Sequence, residues 1–224
     1  MLAKPKIAML TAEFLGAALL TTTFLVLMPL NAINFFVAAS IGLVLALVVM
    51  LFSGISGAHA NPAVTFGLWT ARKIETIQAL AYIAAQLLGA LAAWQLFEYL
   101  TEKAVEGKDT TFDARIWLAE LVGTFVLAMG VTAAITRGMD TLQTAVTYGL
   151  AVTVGVLIAT TAAVGLVNPA VALGTQNLSS AYVFGPLLGG VLGVNLYLML
   201  FAPGNARPPA IVTRRRTAAA KKRR

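Results

Sequence analysis

Apolar positions dominate six long blocks of this chain, at about 7–28, 34–54, 77–99, 116–136, 143–163 and 181–203. Each block, read as a helix, is long enough to cross a hydrocarbon core of ~30 Å. Two shorter segments follow the second and fifth blocks, and both start with the same tripeptide: Asn61-Pro62-Ala63 and Asn168-Pro169-Ala170. Asn is a favoured N-cap and Pro a favoured first helical residue, so each tripeptide predicts a helix start. From Asn61 the helical pattern runs to about Arg72, a length of roughly 16 Å, about half the core. A helix of half length cannot span. It enters from one side and begins near the middle, with its backbone buried in protein or facing a wet cavity.

The chain repeats itself. Ala12-Glu13-Phe14-Leu15-Gly16 returns as Ala119-Glu120-Leu121-Val122-Gly123, and Asn61-Pro62-Ala63-Val64 returns as Asn168-Pro169-Ala170-Val171, both at the same offset. Two motifs with one offset mark an internal duplication. Repeat 1 covers about 7–100 and repeat 2 about 114–203, each with three spans and one short segment. An odd number of spans inserts the second copy upside down, and inverted repeats place a path at their interface near mid-membrane. The recurrence also argues against reading the first block, preceded by Lys4 and Lys6, as a cleaved signal peptide.

Composition sharpens this picture. Mean hydropathy is +0.85, and 11% of residues are charged against about 25% in soluble domains. The fold class expected is an all-α membrane protein of six transmembrane helices plus two half-helices. There is no cysteine and one histidine, His59, which excludes thiolate metal sites and disulfides; no metal, cofactor or enzymatic centre is expected. The net charge of +7 resides in a tail. Eight of the sixteen Lys and Arg are Arg207, Arg214, Arg215, Arg216, Lys221, Lys222, Arg223 and Arg224. Residues 204–224 are thus expected to be a disordered basic tail that attracts anionic lipid, with no nucleic acid as partner. Six spans put residues 1–6 and the tail on one side. With Arg72, Lys73 and Arg137 that side holds thirteen positive charges, against Lys103, Lys108 and Arg115 opposite. The positive-inside rule then makes both termini cytoplasmic.

Two half-helices entering from opposite sides bring two N-termini together, each worth about +0.5 charge. They repel cations, while the amides of Asn61 and Asn168 donate hydrogen bonds to a passing neutral solute. Glu13 and Glu120 lie inside spans with no cation to pair with, so their expected work is to accept hydrogen bonds from backbone N–H groups of the adjoining loops. His59 reads as a further brace of the first loop, with a pH gate as the rival reading. Gly185, Gly189 and Gly193, like Gly16, Gly89 and Gly123, suit close helix packing.

At these residues the sequence resembles the major intrinsic proteins, the aquaporins and aquaglyceroporins, over about residues 7–203. The most specific stretch is Ser56-Gly57-Ala58-His59-Ala60-Asn61-Pro62-Ala63-Val64-Thr65, similar to the family's first pore loop. Ala85-Gln86-Leu87-Leu88-Gly89-Ala90 and Gly185-Pro186-Leu187-Leu188-Gly189-Gly190 look like its third- and sixth-span signatures. The resemblance implies the aquaporin-like inverted-repeat fold, a homotetramer with one pore per subunit, and a multi-pass protein of the cell membrane. By family spacing the selectivity filter falls on Ile41, Val156, Gly165 and Val171. The family normally has Arg where this chain has Val171, and the glycerol-conducting members an Asp where it has Ala172.

An uncharged filter without aromatics predicts passive flow of water and small uncharged, glycerol-like solutes with weak discrimination. Losing the arginine also opens a second reading, a leaky proton or cation pore. A secondary transporter is a third, since inverted repeats occur there too, and a non-conducting junction protein with a dewetted filter a fourth.

Overall fold

The computed structural model describes residues 4–30, 34–107 and 111–202. Among these, every regular element is helical: α1 (Lys4–Leu27), α2 (Asn34–Ser56), α3 (Pro62–Thr70), α4 (Thr76–Thr101), α5 (Ala114–Arg137), α6 (Thr141–Ala159), α7 (Pro169–Gly174) and α8 (Ser180–Leu200), with a 3₁₀ turn at Met28–Leu30. All but α3 and α7 are long and apolar enough to cross a membrane. The expected tail at 204–224 and Lys108 lie outside the described residues.

The packing obeys the duplication. α1 packs on α2 and α4 as α5 packs on α6 and α8; α3 lies on α8 as α7 lies on α4; α2 meets its own image α6. Exchanging the repeats leaves this set of neighbours unchanged, which is what a two-fold axis in the membrane plane requires. Glycines mark the crossings. A Cβ on Gly42 would lie 2.7 Å from the carbonyl oxygen of Gly149, and one on Gly149 would lie 2.8 Å from that of Gly42. Each of these glycines is the repeat image of the other, so α2 and α6 cross on the axis. Gly185, Gly189 and Gly193 face the carbonyls of Trp117, Leu121 and Phe125, a ladder of fours on each helix that lets α8 lie against α5 at backbone distance.

Polarity is arranged inside out. Leu43, Ile77, Leu80 and Leu150 are exposed, whereas Glu13, Gln86 and Glu120 are wholly buried. Outward apolar side chains suit lipid, and the buried polar groups are reserved for the interior. Helix ends are fixed by local chemistry. Asp113 caps α5 by accepting from the N–H groups of Arg115 and Ile116. The hydrogen bond from the Arg115 side chain, aided by those N–H groups, holds the Asp113 carboxyl below its ordinary range. Asp140 and Gln143 form a capping box at the start of α6.

Two boundaries differ from the sequence reading. The fifth span was expected to reach 163, but α6 ends at Ala159. The hydroxyls of Thr160 and Thr161 bond back to the carbonyls of Leu157 and Ile158, and the chain turns to feed the second short segment. The first half-helix ends at Thr70, two residues early, because Arg72 takes a left-handed conformation, φ 56°.

Candidate functional site

The site is built where α3 and α7 begin. Before each half-helix the chain passes through left-handed residues: Gly57, Ala58 and Ala60 in one copy, Gly165 and Val167 in the other. This backbone turns successive N–H groups to one side. In the first loop they meet Glu13, whose Oε1 accepts from His59 N–H (3.0 Å) and the Ser56 hydroxyl (2.6 Å). Its Oε2 accepts from Ala60 N–H (2.7 Å) and Gln86 Nε2 (2.7 Å). In the second loop Glu120 Oε1 accepts from Gly165 (3.1 Å) and Leu166 (2.9 Å), and Oε2 from Val167 (2.6 Å). Without the carboxylates these N–H groups would have no partner in a medium that supplies none. Val167, β-branched at φ 45°, stores about 1–3 kcal/mol of strain, held in place by its N–H on Glu120.

The two loops are then stitched to each other. Asn61 Oδ1 caps α3 through Ala63 N–H (2.8 Å), and its Nδ2 donates to the carbonyl of Val167 (2.8 Å). Asn168 does the same in mirror: Oδ1 accepts from Ala170 N–H (3.0 Å) and Nδ2 donates to the carbonyl of Ala60 (2.9 Å). Pro62 and Pro169 sit at the first helical positions, where a missing N–H costs nothing. Each amide nitrogen carries two hydrogens and spends one on this crossing. Both asparagines line one central cavity, so the second hydrogen is available there.

That cavity is narrow, with room for about one water molecule and almost no lateral freedom. Its walls are mostly apolar. The lining obeys the repeat: Leu20 faces it with Leu127, Phe24 with Val131, Leu45 with Val152 and Val64 with Val171, each pair related by the offset that relates the two asparagines. Of the four residues expected at the filter, Ile41 and Val171 line this cavity. Val156 and Gly165 pack on one another, a Cβ at Gly165 falling 3.0 Å from the Val156 carbonyl oxygen, and neither belongs to the cavity's lining. His59 lies beside the lumen, its Nδ1 3.2 Å from Thr65 Oγ1 and its ring edge-on to Tyr82.

Sequence reasoning missed the partners that complete the first loop, Ser56, Gln86 and Thr65, and the lumen residues outside the expected filter, Tyr148 among them. Gln86 was recognised as part of a span signature but not as a donor to Glu13. Tyr148 had a usable signal, because it is the repeat image of Ile41.

The family model described as "Major intrinsic protein" matches residues 4–197. The lens fiber major intrinsic protein of Rattus norvegicus is 35% identical over 190 residues, 78% of this chain and 72% of that protein. Aquaporin-1 of Mus musculus is 32% identical over 185 residues, 76% and 69% of the respective chains. Among solved structures, the aquaglyceroporin from Plasmodium falciparum superposes with a TM-score of 0.70 at 21% identity, covering 88% of this chain and 98% of that one; at that identity the likeness speaks for the fold.

Proposed function

We infer that this chain, which belongs to the major intrinsic protein family, is a passive channel for water and small uncharged solutes. The observation that carries the reading is the reciprocal pair of bonds from Asn61 to Val167 and from Asn168 to Ala60. They leave two amide donors beside a narrow, mostly apolar lumen. A neutral molecule with lone pairs exchanges one water partner for an amide there. A cation meets N–H dipoles from both sides and loses its hydration shell with little in return.

The finer parts of the reading follow from charge and exposure. The thirteen-to-three excess of positive charge on the side of the termini orients them to the cytoplasm of a cell membrane. The basic sequence of residues 204–224 is proposed to attract anionic lipid. The exposed apolar flanks support a homotetramer set in lipid, with one pore in each copy. Ile41 and Val171, which line the lumen, are proposed as the outer filter, which carries no fixed charge to grip a polyol or repel a cation.

Stopped-flow light scattering on vesicles holding the purified protein tests the channel reading. Water permeability above that of empty vesicles is expected, with no current that follows Na⁺, K⁺ or H⁺ gradients. Permeability equal to empty vesicles for both water and glycerol rejects it. Currents that track a cation gradient favour the leaky pore.

A further inference from the structure

The repeat symmetry pairs the lumen residues with images, Val167 apart, and in two pairs a polar side chain is matched by an apolar one. His59 is matched by Leu166, and Ile41 by Tyr148. The two polar members fall on the same side of the asparagines, because His59 belongs to the first loop and Tyr148 to α6. His59 and Tyr148 also line a second, open cavity with Ser53, Gly54, Gly138 and Thr144. Among the described residues they alone line both that vestibule and the central lumen, so they form the partition between them. The vestibule opens beside the C-terminal end of α5 and the start of α6, the side of the protein on which the termini lie.

The partition carries two polar atoms free for a permeant. Tyr148 is 2% exposed, and its hydroxyl has no protein partner among the described residues. The second atom is Nε2 of His59. Thr65 Oγ1 accepts from Gln86 Nε2 (2.9 Å), a nitrogen fixed as donor by its bond to the Glu13 carboxylate. The hydrogen of the buried Thr65 hydroxyl needs an acceptor, and the neighbour in reach is His59 Nδ1. Nδ1 therefore accepts, and the neutral ring carries its hydrogen on Nε2. The second repeat cannot assemble this arrangement. Its counterparts of Ser56, His59 and Thr65 are Ala163, Leu166 and Ala172, and the span signatures align Gln86 with Pro186.

We propose that the step which discriminates among solutes lies at this inner partition, between the Tyr148 hydroxyl and His59 Nε2–H, and that Tyr148 is its size-determining residue. The outer positions Ile41, Leu166 and Val171 offer a narrow apolar wall but no hydrogen-bond partner. This rests on the channel reading above. A water crossing the partition accepts from Nε2–H while bonding to the phenol. A larger polyol needs several hydrogen bonds at once and is barred by the ring.

Vesicles holding the full chain test this with water and glycerol as probes. Replacing Tyr148→Ala is expected to raise glycerol permeability about threefold or more, and by a larger factor than Ile41→Ala does, because the ring fills the throat. Tyr148→Phe keeps the ring and removes one of two polar partners. Its expected result is water permeability lowered about twofold, with glycerol permeability not raised. Tyr148→Leu repeats the comparison if the alanine form is not recovered folded. An equal or larger gain from Ile41→Ala, or water flux unchanged in Tyr148→Phe, overturns the assignment. Wild-type vesicles no more permeable than empty ones reject the channel reading itself, an outcome read before any variant is compared.

Discussion

Glu13 and Glu120 occupy the same place in their repeats, yet the same substitution should cost different amounts. Consider glutamine at each. A glutamine at 120 keeps its oxygen on the N–H groups of Gly165 and Leu166 and turns its NH₂ toward Val167, whose N–H now stands 2.6 Å from where an acceptor was. One charge-assisted bond is lost and two new donors have nothing to bond, a cost of about 3–4 kcal/mol. A glutamine at 13 also forfeits one backbone N–H, either His59 or Ala60. There, however, the NH₂ finds an acceptor: the Ser56 hydroxyl can rotate, or the Gln86 amide can turn to present Oε1, which has no partner of its own. The cost falls to about 2 kcal/mol. Equilibrium unfolding in mixed micelles, followed by helicity, measures the difference. The account requires Glu120→Gln to be the more damaging by about 1–2 kcal/mol, the worth of the donor left without a partner. Glu13→Gln equal to or worse than Glu120→Gln would refute the reasoning, since the side-chain donors around Glu13 would then not be adaptable.

Other consequences follow from the same geometry. Gly189→Ala pushes a Cβ into the Leu121 carbonyl and should lower stability by about 1–3 kcal/mol, read as a drop in the thermal midpoint in detergent; an unchanged midpoint contradicts the close crossing of α5 and α8. Asn168→Ala removes an N-cap and the bond to Ala60, a loss of about 2 kcal/mol, and its vesicles should pass less water than wild type. Asp113 has a carboxyl held below its ordinary value of 3.8, so its contribution is complete above that value and is lost as pH falls through the lowered one. The stability gap between wild type and Asp113→Ala should therefore stay constant from about pH 7 to 5 and close below about pH 4; a gap that widens on acidification reverses the sign and rejects the cap.

The parts legible in sequence were those written twice. Asn61 and Asn168, Glu13 and Glu120, and the six spans all announce themselves through one shared offset, because an inverted repeat forces both copies to solve one backbone problem. The glycine ladder on α8 was legible for a related reason, since a spacing of four places small residues on one helix face. The end of α6 was not, because Thr160 and Thr161 remain compatible with an apolar span until their hydroxyls bond to the preceding turn. Tyr148 and the Ser56, Thr65 and Gln86 set were missed because they have no polar image in the other repeat. A search for what recurs passes over what one copy alone carries.

The central claim is that solute passes beside the joined tips of α3 and α7, along the lumen that Asn61 and Asn168 line. The chain has no cysteine, so a single thiol can report on that path without background. Val171 lines the lumen beside Asn168. In Val171→Cys vesicles, mercuric ion should abolish most of the osmotic water flux and a thiol reductant should restore it, while wild-type flux stays unaffected. Water flux in Val171→Cys that mercury leaves intact, although the thiol is shown to be labelled, would mean that water crosses elsewhere.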